Sequence, residues 1–214
     1  SRGIADVRRG LADIGMVSRA MTEAESDLTS FALARDGVCL IVHADNPARE
    51  LTDDQIVGIY TGKIENWREV GGRDAPITVV HKAAGRATLA VFLEHFGLDS
   101  GEVRADVIIG DNEHGIKTVL GNPDAIGYVS VGTAEYHAGQ GAPLRLLASH
   151  GVSASARHLQ DGTFPIRRVL NLVTRATPEG PATPEGQAAR FIAFTRSAAV
   201  SDLVREFHFV PTSS

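Results

Sequence analysis

The sequence predicts an α/β fold with largely parallel sheets, and three observations predict it. Short Val- and Ile-rich runs alternate along the chain with segments of helical period. Gly, Pro, Asn and Asp cluster between those segments as turn signals. At 214 residues with 43% hydrophobic and 22% charged content, the composition is that of a globular chain able to bury a substantial core.

The elements follow in order. Ile4, Val7 and Leu11 give a short helical period that ends near Gly10, and Ala12–Val17 reads as a buried strand. A second strand occupies Val38–Val42, closed by Asn46-Pro47. Thr52-Asp53-Asp54-Gln55 is a capping box, in which the Thr hydroxyl and the Gln side chain satisfy orphan N–H groups, so a helix runs from there to Thr61-Gly62. Ile77–Val80 is a strand leading at once into a helix over Arg86–Phe96. Strands at Val107–Ile109 and Ala125–Val131 flank a helix near Gly115–Leu120. Leu144–Leu147 and Val169–Val173 complete the strands, and two helices follow between Gly186 and Arg205. Thr-Pro-Glu-Gly occurs at 177–180 and again at 183–186; it reads as an exposed loop with Thr183 as N-cap and Pro184 at the first helical position.

Several function classes are disfavoured at once. A formal charge of −5 argues against a nucleic-acid partner. No run of about 18 apolar residues marks a membrane span. The single Cys39 permits neither an internal disulfide nor a Cys-based zinc site, and within its Val/Leu/Ile run it reads as a small buried residue. Eight histidines show no metal-binding spacing, so no metal and no cofactor is expected. Trp67 reads as a packing anchor, with an indole exposed in a cleft as the alternative.

Three places offer anion chemistry. The first is a strand running through a Gly turn into a helix at Val79–Thr88. There the helix N-terminus exposes N–H groups (Ala87 at its start), Gly85 allows close backbone approach, Lys82 and Arg86 bring charge, and Thr88 brings a hydroxyl. An ordinary turn is the alternative. Ser18-Arg19, at the end of the Asp13–Val17 strand, is the second, since open α/β sheets place ligands at strand C-termini; a capping Ser and a surface Arg are the alternative. Ser1-Arg2-Gly3, before the first helix, is either a third donor set or a frayed terminus.

Four motifs resemble, in order, the phosphate-binding members of the periplasmic solute-binding protein family that feed ABC importers. They are Gly10–Arg19, then Arg35-Asp36-Gly37-Val38 leading to Asp45-Asn46-Pro47, then Leu51-Thr52 through Ile59–Trp67, and last Gly121-Asn122-Pro123-Asp124-Ala125-Ile126-Gly127-Tyr128-Val129. The resemblance implies a two-lobe periplasmic binding protein type II fold, with hinge strands crossing near Val38–His43 and Leu170–Thr174. Residues 1–39 and 173–214 would form one lobe and 40–172 the other, with an anion held in the cleft and hinge closure around it. Members of that family open with a strand and a Ser/Thr-bearing loop ahead of the segment matching Ser1-Arg2-Gly3. The resemblance therefore implies that the first strand and helix of the N-terminal lobe are missing. The family's usual Arg-x-x-Gly-Ser-Gly-Thr turn reads Lys82-Ala83-Ala84-Gly85-Arg86-Ala87-Thr88 here, which relocates the planar donor. Arg19 falls where some members carry a carboxylate.

The function this implies is non-enzymatic: binding of inorganic phosphate or a related tetrahedral oxyanion, and its delivery to ABC permease subunits. It implies a periplasmic or extracellular, membrane-anchored location. An anion-sensing regulatory domain of the same fold is the alternative. A hydrolase of phosphorylated small molecules is a further one, with Asp111-Asn112-Glu113-His114 as its only local metal candidate; helix capping is the simpler reading of that run. An exposed edge at the Asp13–Val17 strand would favour self-association.

Overall fold

The computed structural model describes residues 2–176 and 186–212. Ser1 and the expected Thr183 cap with Pro184 lie outside the described residues. In chain order the elements are α1 (Arg2–Arg8), β1 (Gly15–Val17), β2 (Leu28–His43), α2 (Asp53–Tyr60), β3 (Thr78–Lys82), α3 (Ala87–Phe96), β4 (Val107–Ile109), α4 (Asn112–Leu120), β5 (Ala125–Ser130), α5 (Val131–Gly139), β6 (Leu144–Leu146), α6 (Ala156–Gln160), β7 (Arg167–Arg175), α7 (Gly186–Thr195), α8 (Ala198–Glu206) and β8 (Val210–Pro211).

The chain divides into two compact units, residues 1–36 with 168–214 and residues 37–167. It passes between them inside β2 and at the start of β7, against the 39 and 172 expected from sequence.

In the first unit β7 lies between β1 and β2. It runs antiparallel to β1, pairing Gly15 with Val173 and Val17 with Asn171, while β8 pairs antiparallel with β2 at Ala34 and Arg35. Ile4 and Val7 of α1 pack on Val17, Leu28 and Val173. Gly3 and Gly15 permit this approach: a Cβ on Gly15 would stand 2.5 Å from the Gly3 carbonyl oxygen. The Ala12–Val17 strand is shorter than expected and not buried throughout. Only Gly15–Val17 is extended, and the alternation of a strand turns Met16 outward, 79% exposed. Asp36 and Arg168 form a buried ion pair here, with Arg168 Nε and Nη2 donating to Asp36 Oδ2 at 3.1 and 2.7 Å.

In the second unit the latter half of β2 pairs antiparallel with β5 and β6, whereas β3 pairs parallel with β4 and β5. The expectation of largely parallel sheets is thus corrected to a mixed sheet. Parallel pairing needs a long crossover, usually a helix. Helices α3 and α4 supply such crossovers from β3 to β4 and on to β5, whereas β1 with β7, and β2 with β5, β6 and β8, pair antiparallel. β5 is buried along its whole length. Tyr60, Phe92 and Tyr128 cluster beside it, with Phe92 stacked on Tyr128 at 4.0 Å between ring centroids. The expected capping box opens α2: Thr52 Oγ1 accepts from Gln55 N at 3.2 Å and Gln55 Oε1 from Thr52 N at 2.9 Å. Trp67 is fully buried and its Nε1 donates to the Asp124 carbonyl at 3.0 Å. Cys39 is buried, as expected of a small apolar residue.

Candidate functional site

β3 delivers Lys82 to the end of the sheet, and Ala83 N donates to the Ile109 carbonyl of β4 at 2.9 Å. The chain then turns through Gly85 at φ +83°, a conformation side chains with a Cβ rarely adopt, into Arg86, the N-cap of α3. Arg86 makes no side-chain cap, and the first turn of α3 carries no acidic residue. The N–H groups of Ala87, Thr88 and Leu89 have no acceptor within the helix, whose first bond runs from Ala90 N to Arg86 O. Helices α2 and α4 differ: side chains of Thr52 and Asp111 close their starts. The start of α3 therefore keeps both its donors and its partial positive charge. Thr88 is buried, and its hydroxyl makes no hydrogen bond among the described residues.

Two cations converge beside this helix start. Arg86 is exposed, and its Nη2 lies 3.6 Å from the point a Cβ on Gly110 would occupy, so the guanidinium reaches the β4–α4 turn. Lys82 is 2% exposed, and its Nζ donates to Asn112 Oδ1 at 2.8 Å. Asn112 is anchored in turn, accepting from Ser130 N at 3.4 Å and donating from Nδ2 to Thr133 Oγ1 at 3.5 Å. Burial pulls the Lys82 ammonium down to about 8, Asp111 opposing and Arg86 reinforcing the fall. Asp111 itself accepts from His114 N at 2.8 Å, the capping role expected of it, and that bond is the main cause holding its carboxyl below the usual range.

A polar layer lies under the turn. Tyr128 Oη accepts from Lys82 N at 3.4 Å and pairs with His81 Nδ1 at 3.0 Å. The other ring nitrogen, Nε2, is buried without a partner, and burial lowers the His81 pKa.

The structure thus brings Lys82, Gly85, Arg86, Ala87 and Thr88 together on one turn of the second unit. The other candidates belong to the first unit. Arg2 is exposed and pairs with Asp6 at 3.5 Å, and Gly3 packs against the Met16 backbone. Ser18 is exposed just past β1. Arg19 turns both arms onto the buried Glu25, at 2.9 and 2.6 Å, with Nη1 also donating to the Ala20 carbonyl. Those bonds from Arg19, followed by one from Thr22 N, hold the Glu25 carboxyl down at about 2. A carboxyl held low contributes stability above its ordinary range near 4.5, and that stability is lost as pH falls toward about 2. Glu25→Gln should therefore melt at a lower temperature than the parent at pH 6 and lose less between pH 4.5 and 2.5. Parallel melting curves across that range would refute the coupling.

Thr133 was not singled out from the sequence, and Asn112 only within the Asp111–His114 run as a metal candidate or helix cap, not as a partner of Lys82. The available signal was position: Asn112 follows the end of β4 much as Lys82 closes β3, and strand C-termini are where open α/β sheets place ligands. No group of three His, Cys, Asp or Glu residues able to hold a metal ion occurs among the described residues.

A family model described as a PBP superfamily domain matches residues 1–199. The chain is 27% identical to the phosphate-binding protein PstS of Bacillus subtilis over 217 residues, covering 99% of this chain and 68% of that one. Among solved structures it is similar to a putative phosphate ABC transporter substrate-binding protein with bound phosphate from Clostridium perfringens. That match has a TM-score of 0.76 and 31% identity over 100% of this chain and 84% of that one. An ABC-type phosphate transport receptor from Vibrio cholerae gives a TM-score of 0.82 and 29% identity, over 98% of this chain and 84% of that one.

Proposed function

We propose that this chain, which belongs to the PBP superfamily, binds inorganic phosphate reversibly at the start of α3 and hands it to the membrane subunits of an ABC importer. The observation that carries the reading is the unclosed start of α3, where free backbone donors and the Thr88 hydroxyl meet two cations and no acidic side chain of the helix's own first turn. A tetrahedral oxyanion supplies the acceptors those donors lack. The relatives named for phosphate binding and transport support the choice of phosphate. The role is binding without turnover, outside the cytoplasmic membrane.

Calorimetric titration with phosphate, with sulfate as control, tests this directly. Wild-type protein should bind phosphate, and Arg86→Ala with Thr88→Ala should abolish measurable binding. Losing charge-assisted hydrogen bonds of about 1.5–3 kcal/mol each lowers affinity at least about tenfold per bond. Unchanged affinity in the double variant would place the site elsewhere, and a folded wild type that takes up no phosphate would overturn the reading.

A further inference from the structure

We infer that Asn112 is a positioning residue of the anion site: its neutral carboxamide anchors the Lys82 ammonium without supplying a counter-charge, so that the bound anion supplies it. This rests on the phosphate reading of the α3 turn.

The groups facing Lys82 come from four elements. Arg86 stands at the start of α3, Asp111 and Asn112 at the start of α4, Tyr128 on β5, and Thr133 on α5 behind Asn112. Asp111 is the one carboxylate among them, and it is committed to His114 N as the α4 cap. Asn112 Oδ1 takes the direct contact at 2.8 Å and is held by two further bonds, so the ammonium is fixed in place by a dipole. A carboxylate at that atom would form an internal ion pair and compete with any incoming anion. The choice of amide over acid one residue from a real acid therefore leaves a buried cation with no directly bonded counter-charge beside free helix donors.

Coupling to protons follows. The Lys82 ammonium lies near 8 because burial disfavours its charge, and a neighbouring anion favours that charge. Above pH 8 the free protein has lost the proton that the complex retains, so binding takes up a proton and affinity falls as pH rises. By linkage the fall attributable to Lys82 between pH 7 and pH 9 is about tenfold. The ionisation of phosphate itself is common to parent and variant and cancels when they are compared at equal pH.

Phosphate affinity at pH 7 and 9 is measured by calorimetry for wild type, Asn112→Asp and Asn112→Ser, with folding checked by circular dichroism. In parallel, nitrogen-15 NMR follows the Lys82 ammonium in ligand-free wild type and Asn112→Asp. Asn112→Asp should bind phosphate at least tenfold more weakly at pH 7 and raise the Lys82 midpoint. Relative to wild type, its affinity should lose less between pH 7 and 9. Asn112→Ser removes the anchor without adding charge, so it should weaken binding while keeping the wild-type fall. Wild-type affinity and pH dependence in Asn112→Asp would overturn the inference and leave phosphate binding standing. An unmoved Lys82 midpoint overturns it whatever phosphate does, and a wild type that binds no phosphate overturns both readings.

Discussion

Asp36→Ala should lower stability by about 3–5 kcal/mol, the range for breaking a buried ion pair by removing one partner. Asp36 is 1% exposed and the Arg168 side chain 8%, so deleting the carboxylate leaves a guanidinium stranded in the interior. Arg168 Nη1 is already buried without a partner, which makes this pair an incompletely repaid desolvation, not an optimised bond. The double variant Asp36→Leu with Arg168→Met should therefore cost far less than the single one, because it removes both charges and restores apolar volume. Urea denaturation followed by circular dichroism measures both. A double variant as unstable as Asp36→Ala would mean that packing, not charge, governs this position.

Trp67→Ala carries a comparable cost, about 3–5 kcal/mol, typical of truncating a buried aromatic. The indole is fully buried, a Cβ on Gly72 would stand 3.0 Å from its own Cβ, and its N–H satisfies the Asp124 carbonyl. The turn that presents it is tied down from both sides: Asn66 Oδ1 accepts from Arg68 N, while Glu69 Oε1 accepts from Asn66 N. Trp67→Phe keeps most of the volume and loses the hydrogen bond, so it should cost clearly less. Equal losses in the two variants would show that the indole N–H, not the ring, holds the site. Because Trp67 is the only tryptophan, Trp67→Ala must be followed by circular dichroism instead of indole fluorescence.

The sequence disclosed structure wherever a side chain declares a local event. Thr52 and Gln55 announce the start of α2 because both hydrogen bonds of the box lie within four residues. Gly85 marks its turn because positive φ favours glycine. The first part of β2, from Leu28 to Arg35, was illegible: polar and apolar residues mix there, and a clear strand signal begins only near Val38. Helix α5 was missed because it follows β5 directly from Ser130, whose side chain makes no cap hydrogen bond. On the candidate anion turn, Lys82, Gly85, Arg86, Ala87 and Thr88 form one strand–turn–helix segment, which is why a local pattern can group them. The contact of Lys82 with Asn112 spans 30 residues, and that of Arg168 with Asp36 spans 132; no local pattern encodes either.

The split of the first unit around an uninterrupted second one also sets an order of assembly on the ribosome. Residues 37–167 are one uninterrupted stretch, so this unit can fold while synthesis continues. The opening segment cannot. β1 pairs with Asn171–Val173, and Ala34 and Arg35 of β2 pair with Val210 and Pro211, all of them made late in synthesis. Until then Ile4, Val7, Val17 and Leu28 lack the Val173 side chain that completes their cluster, and apolar surface left open in this way is prone to association before the chain is finished.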